Sequence, residues 1–187
     1  PVVGRGQVFL TTGVPKPDGG ISLRALCFDA TTGREVWNVE IFTPTAEQVQ
    51  PGHPKSSPAS PTPLLEDTRV YVHFGHYGTA CLDRATGQAL WRNDQLSYES
   101  VNGNGGSAIL DGDRLIFHCD GARDPYAVAL DKRTGEILWK SARSAPGIRQ
   151  PFSFATPLLI EVGDKPQLIS PASGAVYGLD PATGRAI

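Results

Sequence analysis

The sequence predicts an all-β fold, a β-propeller of four-stranded antiparallel blades, on three observations. The string Asp-x-x-Thr-Gly occurs four times, at Asp29–Gly33, Asp83–Gly87, Asp131–Gly135 and Asp180–Gly184. A tryptophan follows the glycine by four residues in the first three copies, at Trp37, Trp91 and Trp139, and these are all the tryptophans present. The runs upstream are short, β-branched and aromatic, punctuated by Gly, Pro and Asp, and none holds a helical period. Self-similarity at roughly 50 residues marks a repeat architecture, and four strands per repeat of that length make a propeller blade.

Each repeat reads as strands A to D. Strand A is Pro1–Val3, Pro63–Leu65, Ala108–Leu110 and Pro157–Leu159; strand B is Gln7–Thr11, Arg69–His73, Arg114–His118 and a weaker Pro166–Ser170. Strand C ends with a small residue two before the Asp, at Cys27, Cys81, Ala129 and Gly178. The Asp then bonds its own following backbone, two central residues turn, and the Gly takes the left-handed conformation, so that C and D form a hairpin. Strand D carries the tryptophan. The blades fall at 1–42, 57–94, 106–142 and 154–187. In the fourth copy the tryptophan position would be 188, one beyond Ile187. The first copy opens within strand A and the last ends within strand D. The four blades are therefore expected to be part of a larger ring of seven or eight, with the remaining blades as partners, in preference to the alternative of a closed four-bladed ring.

One tryptophan per repeat is expected to pack blade against blade, because every blade needs the same apolar seam and a ligand needs one site. Asp29, Gly33, Trp37, Asp83, Gly87, Trp91, Asp131, Gly135, Trp139, Asp180 and Gly184 are thus structural repeat positions.

Composition excludes several functions. In 187 residues, 17 Lys+Arg stand against 19 Asp+Glu, a net charge of -2. That balance provides no basic surface of the kind that tracks nucleic-acid phosphates, and no apolar run approaches the roughly 20 residues of a membrane-spanning helix. The three cysteines, Cys27, Cys81 and Cys119, are widely spaced and odd in number, signalling neither a zinc site nor a disulfide framework. No nucleophile, base and orienting group can be assembled from the sequence.

In an A-B-C-D meander the A–B and C–D turns share one face, and the B–C and D–A connections share the other. The first set is tight and regular. The second is long and varied: Thr12–Gly20, Thr43–Pro61, Gln95–Gly106, Asp120–Pro125 and Ser144–Phe152. Loops on a rigid scaffold are the usual carriers of recognition. The candidate binding face therefore holds His73, His76, Tyr77, Tyr98, Asn102, Asn104, His118, Asp120, Arg123 and Arg149. His73 and His118 occupy equivalent ends of strand B; they lie on different blades with no third ligand apparent, which favours a polar strand-end position over a metal site. His76 and Tyr77 are expected in a solvated turn, Asn102 and Asn104 in a loop needing positive φ rather than an anion nest, and Asp120, Arg123 and Asp124 in a solvated loop.

The pattern small-x-Asp-x-x-Thr-Gly-x-x-x-Trp, as in Cys81–Trp91 and Ala129–Trp139, resembles the tryptophan-docking motif of the pyrroloquinoline quinone (PQQ) repeat. Propellers of that family resemble quinoprotein alcohol dehydrogenases, and the likeness covers all four copies. It implies an extracytoplasmic, periplasmic or extracellular bacterial setting. It also implies three functional expectations: a non-catalytic scaffold binding a protein or small ligand through the B–C and D–A loops, part of a PQQ- and calcium-dependent alcohol or sugar dehydrogenase, or a module supporting a catalytic domain elsewhere. The dehydrogenases of the family hold PQQ with calcium under a disulfide of adjacent cysteines. No adjacent pair exists here and no ligand position matches, so no cofactor or metal is expected in this segment, and the repeat acts as a packing motif.

Overall fold

Fifteen strands form four antiparallel sheets in a computed structural model that describes residues 1–50, 52–54, 56–144 and 147–187. The loop expectations for Pro51, Lys55, Ala145 and Pro146 lie outside the described residues. Blade 1 is β1 (Val2–Gly4), β2 (Gln7–Pro15), β3 (Ile21–Asp29) and β4 (Glu35–Phe42). Blade 2 is β5 (Leu64–Leu65), β6 (Arg69–His73), β7 (Thr79–Asp83) and β8 (Ala89–Asn93). Blade 3 is β9 (Ile109–Asp111), β10 (Arg114–Cys119), β11 (Tyr126–Asp131) and β12 (Ile137–Ala142). Blade 4 is β13 (Leu158–Val162), β14 (Lys165–Ala172) and β15 (Ala175–Leu179). Its strand D is present only as a bridge from Leu179 to Ala186 and a hydrogen bond from Ile187 N–H to the Gly178 carbonyl, 3.0 Å. Strand order within each sheet follows the chain, the up-and-down meander expected of a blade. One loop expectation is corrected: Thr12–Pro15 continues β2, paired with Ser22–Arg24 and Ile21 of β3, so the first B–C connection shrinks to residues 16–20.

The Asp-x-x-Thr-Gly turns are built alike. Asp29 Oδ1 accepts from Thr31 N–H (3.0 Å), Thr32 N–H (2.7 Å) and the Thr32 hydroxyl (2.8 Å), and Asp83 accepts the same pair of bonds from Thr86 at 2.9 and 2.8 Å. Bonds of this kind favour the charged carboxylate and hold Asp29, Asp83 and Asp131 below the usual aspartate range. Directly after each turn the D strand carries a bulge at one register, so that Cys27, Cys81 and Ala129 sit opposite Trp37, Trp91 and Trp139. The small residue leaves room for the indole, which explains why the position is small. The bulged residues Val36, Leu90 and Leu138 point outward and are about half exposed.

Each tryptophan crosses to the next blade. Trp37 Nε1–H donates to the Arg84 carbonyl (3.0 Å), Trp91 to that of Lys132 (3.0 Å) and Trp139 to that of Pro181 (3.1 Å). The acceptor is always the residue after the turn Asp. The indole lies flat on the turn glycine of that same next blade: a Cβ on Gly87, Gly135 or Gly184 would stand 2.8, 2.6 or 2.5 Å from it. Those glycines also have φ between +71° and +78°, so the turn and the close approach both demand glycine. The blades share three apolar cores, one per seam. Phe9, Leu23 and Trp37 meet Val70, Val72 and Leu82; Tyr71 and Trp91 meet Leu115, Phe117 and Val128; Ile116 and Trp139 meet Leu168 and Leu179. Each of the three tryptophans lies in the seam between its own blade and the next.

A second ladder runs along the entries to strand A. Thr62 N–H donates to the Ser107 hydroxyl and Ser107 N–H to the Thr156 hydroxyl, both at 2.9 Å, joining blades 2, 3 and 4. No helix is long and apolar enough to cross a membrane among the described residues.

Candidate functional site

The B–C and D–A connections gather on one face, as the meander requires, and most of the candidate residues meet there. The tight turns form the other face, where Glu66–Arg69 and Lys132–Arg133 border a polar groove closed by the Lys132–Glu66 ion pair at 2.8 Å.

The loop face centres on Asn104, which is buried. Tyr98 donates its hydroxyl proton to Asn104 Oδ1 at 2.7 Å, and the Asn104 amide nitrogen lies 3.4 Å from His76 Nδ1. The amide rests on Gly75, whose φ is +62° and where any side chain would overlap it. Gln50 laces the connection after blade 1 to the others. Its amide nitrogen donates to the Tyr98 carbonyl (3.3 Å), its Oε1 accepts from Ser100 N–H (2.8 Å), and its backbone N–H donates to the Tyr77 hydroxyl (3.2 Å). Ser100 in turn bridges to Gly121 in the B–C loop of blade 3. Four loops are thus held as one surface.

Residues of these loops enclose a cavity of about 230 Å³, bordered by Ile21, Gln50, His53, Pro58, His76, Tyr77, Ser100 and Asn104. A second hollow of about 340 Å³ adjoins it, sharing His53, Ser56 and Asn104 and walled by Phe154. Two buried polar atoms of the first cavity, His76 Nε2 and Ser100 Oγ, have no hydrogen-bond partner among the described residues. Leaving such groups unpaired costs about 1–3 kcal/mol each. The expected solvated turn at His76 and Tyr77 is corrected: they form a 3₁₀ turn, Gly75–Tyr77, with ring centroids 3.8 Å apart and tilted 44°, half-buried against Tyr98. Burial lowers His76 to about 4, so its imidazole is neutral.

His73 and His118 are buried at the ends of β6 and β10, as strand-end polar residues. His73 Nδ1 pairs with the Thr79 hydroxyl (2.8 Å) and its ring packs on Phe117 at 4.3 Å. His118 Nδ1 donates to the Ala155 carbonyl (2.9 Å), so its Nε2 accepts from the Ser170 hydroxyl (3.0 Å). Ser170 is the equivalent position in blade 4, and equivalent Thr11 of blade 1 donates to Ala59 as His118 does to Ala155. Burial lowers both histidines to about 3. They are neutral, weak bases: His118 ties the Ala155 connection to its blade, and His73 packs blade 2 on blade 3.

Asp120 is the clearest correction to the expected solvated loop. Its side chain is 7% exposed and pairs with Arg143, whose side chain is fully buried. Arg143 also donates to the Pro171 carbonyl of β14, and Asp120 Oδ2 accepts from Ser153 N–H at 3.2 Å. This pair fastens blade 3 to blade 4. Burial raises Asp120 to about 6, against the pull of the Arg143 guanidinium. Arg123 and Arg149 are exposed, Arg123 3.4 Å from Glu99. Asn102 has φ +60° and Gly103 +95°, whereas Asn104 is not in the left-handed region and is buried. The cysteines are free and buried; burial raises Cys81 to about 11 and Cys119 to about 12, leaving unreactive thiols. Sequence reasoning missed Gln50, Ser100, His53 and Arg143. Thr62, Ser107 and Thr156 were also missed, though a hydroxyl residue two places before Leu64, Ile109 and Leu158 was there to be read.

Comparison with known proteins agrees with this architecture. A family built of PQQ-like repeats, described as outer membrane protein assembly factor BamB, matches residues 1–158. The chain belongs to this family. Among curated relatives of this PQQ-like propeller, quinoprotein ethanol dehydrogenase of Pseudomonas aeruginosa is 30% identical over 138 residues, covering 66% of this chain and 21% of that protein. The corresponding enzyme of Pseudomonas putida is 26% identical over 141 residues, again 66% and 21%. The chain thus spans about a fifth of the length of these curated relatives. Among solved structures, BamB from Moraxella catarrhalis superposes with a TM-score of 0.61 at 22% identity, covering 94% of this chain and 50% of that one. A europium-containing methanol dehydrogenase gives 0.66 at 13%, covering 99% and 39%. These structural likenesses bear on the fold, and the coverage is consistent with four blades of a larger ring.

Proposed function

We propose that this PQQ-like propeller is a binding scaffold, recognising a protein or small ligand through its B–C and D–A loops without quinone chemistry in these blades. One observation carries the reading: a cavity bordered by three connections, beside which the buried His76 Nε2 and Ser100 Oγ have no partner among the described residues. Native proteins satisfy buried polar groups, and where they do not, a ligand or solvent contact is the usual reason. An extracytoplasmic setting accords with the outer-membrane description of the matched family.

A second reading, part of a PQQ- and calcium-dependent dehydrogenase, is favoured by the likeness to the two ethanol dehydrogenases. The donors among the described residues do not fit that group. A calcium seat needs several oxygen ligands around one point. Asp120, a buried carboxylate of the loop face, already spends its oxygens on Arg143 and Ser153, and the described residues bring no three His, Cys, Asp or Glu together. A module supporting a catalytic domain elsewhere is the same scaffold with its partner in cis.

The test is to follow backbone amide resonances while adding a panel of neutral, anionic and cationic small molecules, and separately PQQ with calcium. Shifts confined to residues 50–58, 76–77 and 98–106 are expected from at least one panel member. Quinone absorbance with alcohol-dependent dye reduction, or a panel that moves only the Asp-x-x-Thr-Gly face, would overturn the scaffold reading.

A further inference from the structure

We propose that Asn102 is a site of spontaneous modification, its side chain closing on the Gly103 amide and ending as aspartate or isoaspartate, while Asn104, two residues on, is held unreactive by the fold. The proposal stands apart from the loop-face binding reading. Of the four asparagines, Asn38, Asn93, Asn102 and Asn104, the last two are each followed by glycine, in the run Val101-Asn102-Gly103-Asn104-Gly105. The reaction needs only water as its co-reactant. The Gly103 backbone nitrogen gives its proton to solvent base and attacks Asn102 Cγ; the bond from Cγ to Nδ2 breaks, ammonia leaves, and a cyclic succinimide remains. Water then adds to one of the two ring carbonyls and opens the ring. Opening at the side-chain carbonyl leaves aspartate, and opening at the main-chain carbonyl leaves isoaspartate, with the chain rerouted through Cγ. Asparagine is thermolabile, and a following glycine, with no Cβ to crowd the attack, favours this route.

The same dipeptide stands in two unlike settings. Asn102 is exposed, and it and Gly103 turn through φ +60° and +95°. The Asn102 carbonyl accepts from His53 N–H at 3.5 Å, a long bond that holds the turn lightly. Ring closure needs the backbone to rotate at Asn102, and an exposed loop reaches such conformations by local opening. Asn104 is 8% exposed. Its Oδ1 accepts the Tyr98 hydroxyl at 2.7 Å, its amide nitrogen lies 3.4 Å from His76 Nδ1, and the amide rests on Gly75. To close on Gly105 this carboxamide must leave Tyr98 and turn inside a packed site, and water must then reach it. Both wait for a larger opening. The change at Asn102 alters the loop face, because Asn102 borders the 340 Å³ hollow with His53, Ser56 and Phe154. Its product places a carboxylate there and takes the net charge from -2 to -3.

Peptide mapping by mass spectrometry tests this on the full chain, kept folded in mildly alkaline buffer and, in parallel, unfolded in guanidinium chloride. Each conversion removes ammonia and adds water, and fragmentation separates aspartate from isoaspartate. In denaturant the two asparagines are expected to convert alike. In the folded chain Asn102 is expected to stay within about tenfold of its unfolded rate, and Asn104 to fall at least about tenfold below Asn102. Asn102→Gln, whose longer side chain closes its ring far more slowly, is expected to silence that position. Tyr98→Phe is expected to speed Asn104 and to leave Asn102 as it was. An Asn102 that stays intact in the folded chain while the unfolded chain converts, or an Asn104 that keeps pace with it, would overturn the proposal. An Asn104 rate indifferent to Tyr98→Phe would overturn the assignment of its protection to the Tyr98 bond.

Discussion

The two faces of the blades differ in how far they repeat. On the turn face one contact set recurs three times: indole on the next turn glycine, and Nε1–H on the carbonyl after the next turn Asp. On the loop face no contact set recurs in full. Position B-end is Thr11, His73, His118 and Ser170 in turn, and only Thr11 and His118 reach the same kind of acceptor, the Ala59 and Ala155 carbonyls. The buried ion pair of Asp120 and Arg143 belongs to one seam. The difference teaches that stability is carried by the repeated side, where each blade covers its neighbour. The unrepeated side is free to vary and holds the unpaired polar groups.

That division can be broken in several ways. Trp91→Ala empties the middle seam and is expected to cost about 3–5 kcal/mol, as large core truncations do; urea unfolding that leaves the midpoint in place would refute the seam. Asp120→Ala strands the buried Arg143 guanidinium and is expected to cost about 3 kcal/mol, with the added Arg143→Met change restoring part of it. A double mutant no better than the single would show that the pair is not coupled.

Acid sharpens the comparison because the lowered histidines lie on the loop side. His73 and His118 fall from 6.5 to about 3 on folding, so the folded state binds fewer protons. Their contribution is complete above about 6.5 and is lost as pH falls through 6.5 toward 3. Asp29, Asp83 and Asp131, lowered by their turns, lose theirs at lower pH still. Asp120, raised to about 6, works oppositely between its ordinary 3.8 and 6 and offsets part of the loss. Denaturation midpoints at pH 7.5 and 5.0 should fall with acid, and His118→Asn should shrink that fall; an unchanged slope would contradict the assignment.

The smallest effects separate the faces most cleanly. Ser107→Ala removes the acceptor of Thr62 N–H and should cost about 0.5–1.5 kcal/mol. Ser100→Ala removes a hydroxyl that nothing pairs among the described residues, so stability should stay within about 0.5 kcal/mol or rise. A Ser100→Ala loss above 1 kcal/mol would mean that the hydroxyl serves the fold and not a ligand.

The frame was legible in the sequence because repetition exposes what local physics fixes. Asp29 to Trp37 states a turn, a bulge and a seam in nine residues, and the same statement recurs at Asp83 and Asp131. The small residue opposite each tryptophan could be located but not explained until Cys27, Cys81 and Ala129 were seen across the strand from their indoles. The site was legible only as a face. His76, Tyr98 and Asn104 were named, but their meeting depends on Gln50 and Ser100, which come from different connections and repeat nowhere. Asp120 read as solvated because its partner Arg143 lies 23 residues on, at the end of another strand. Long-range pairs between unrepeated loops leave no local signature.

Native-state hydrogen exchange along the whole chain tests the division most directly. Amides of β3, β7 and β11, each between two strands and beneath a tryptophan, are expected to exchange only through global unfolding. Those of residues 52–58 and 100–106 are expected to exchange through local opening, orders of magnitude faster. Loop amides as protected as those central strands, or strands β7 and β11 opening independently of one another, would contradict it.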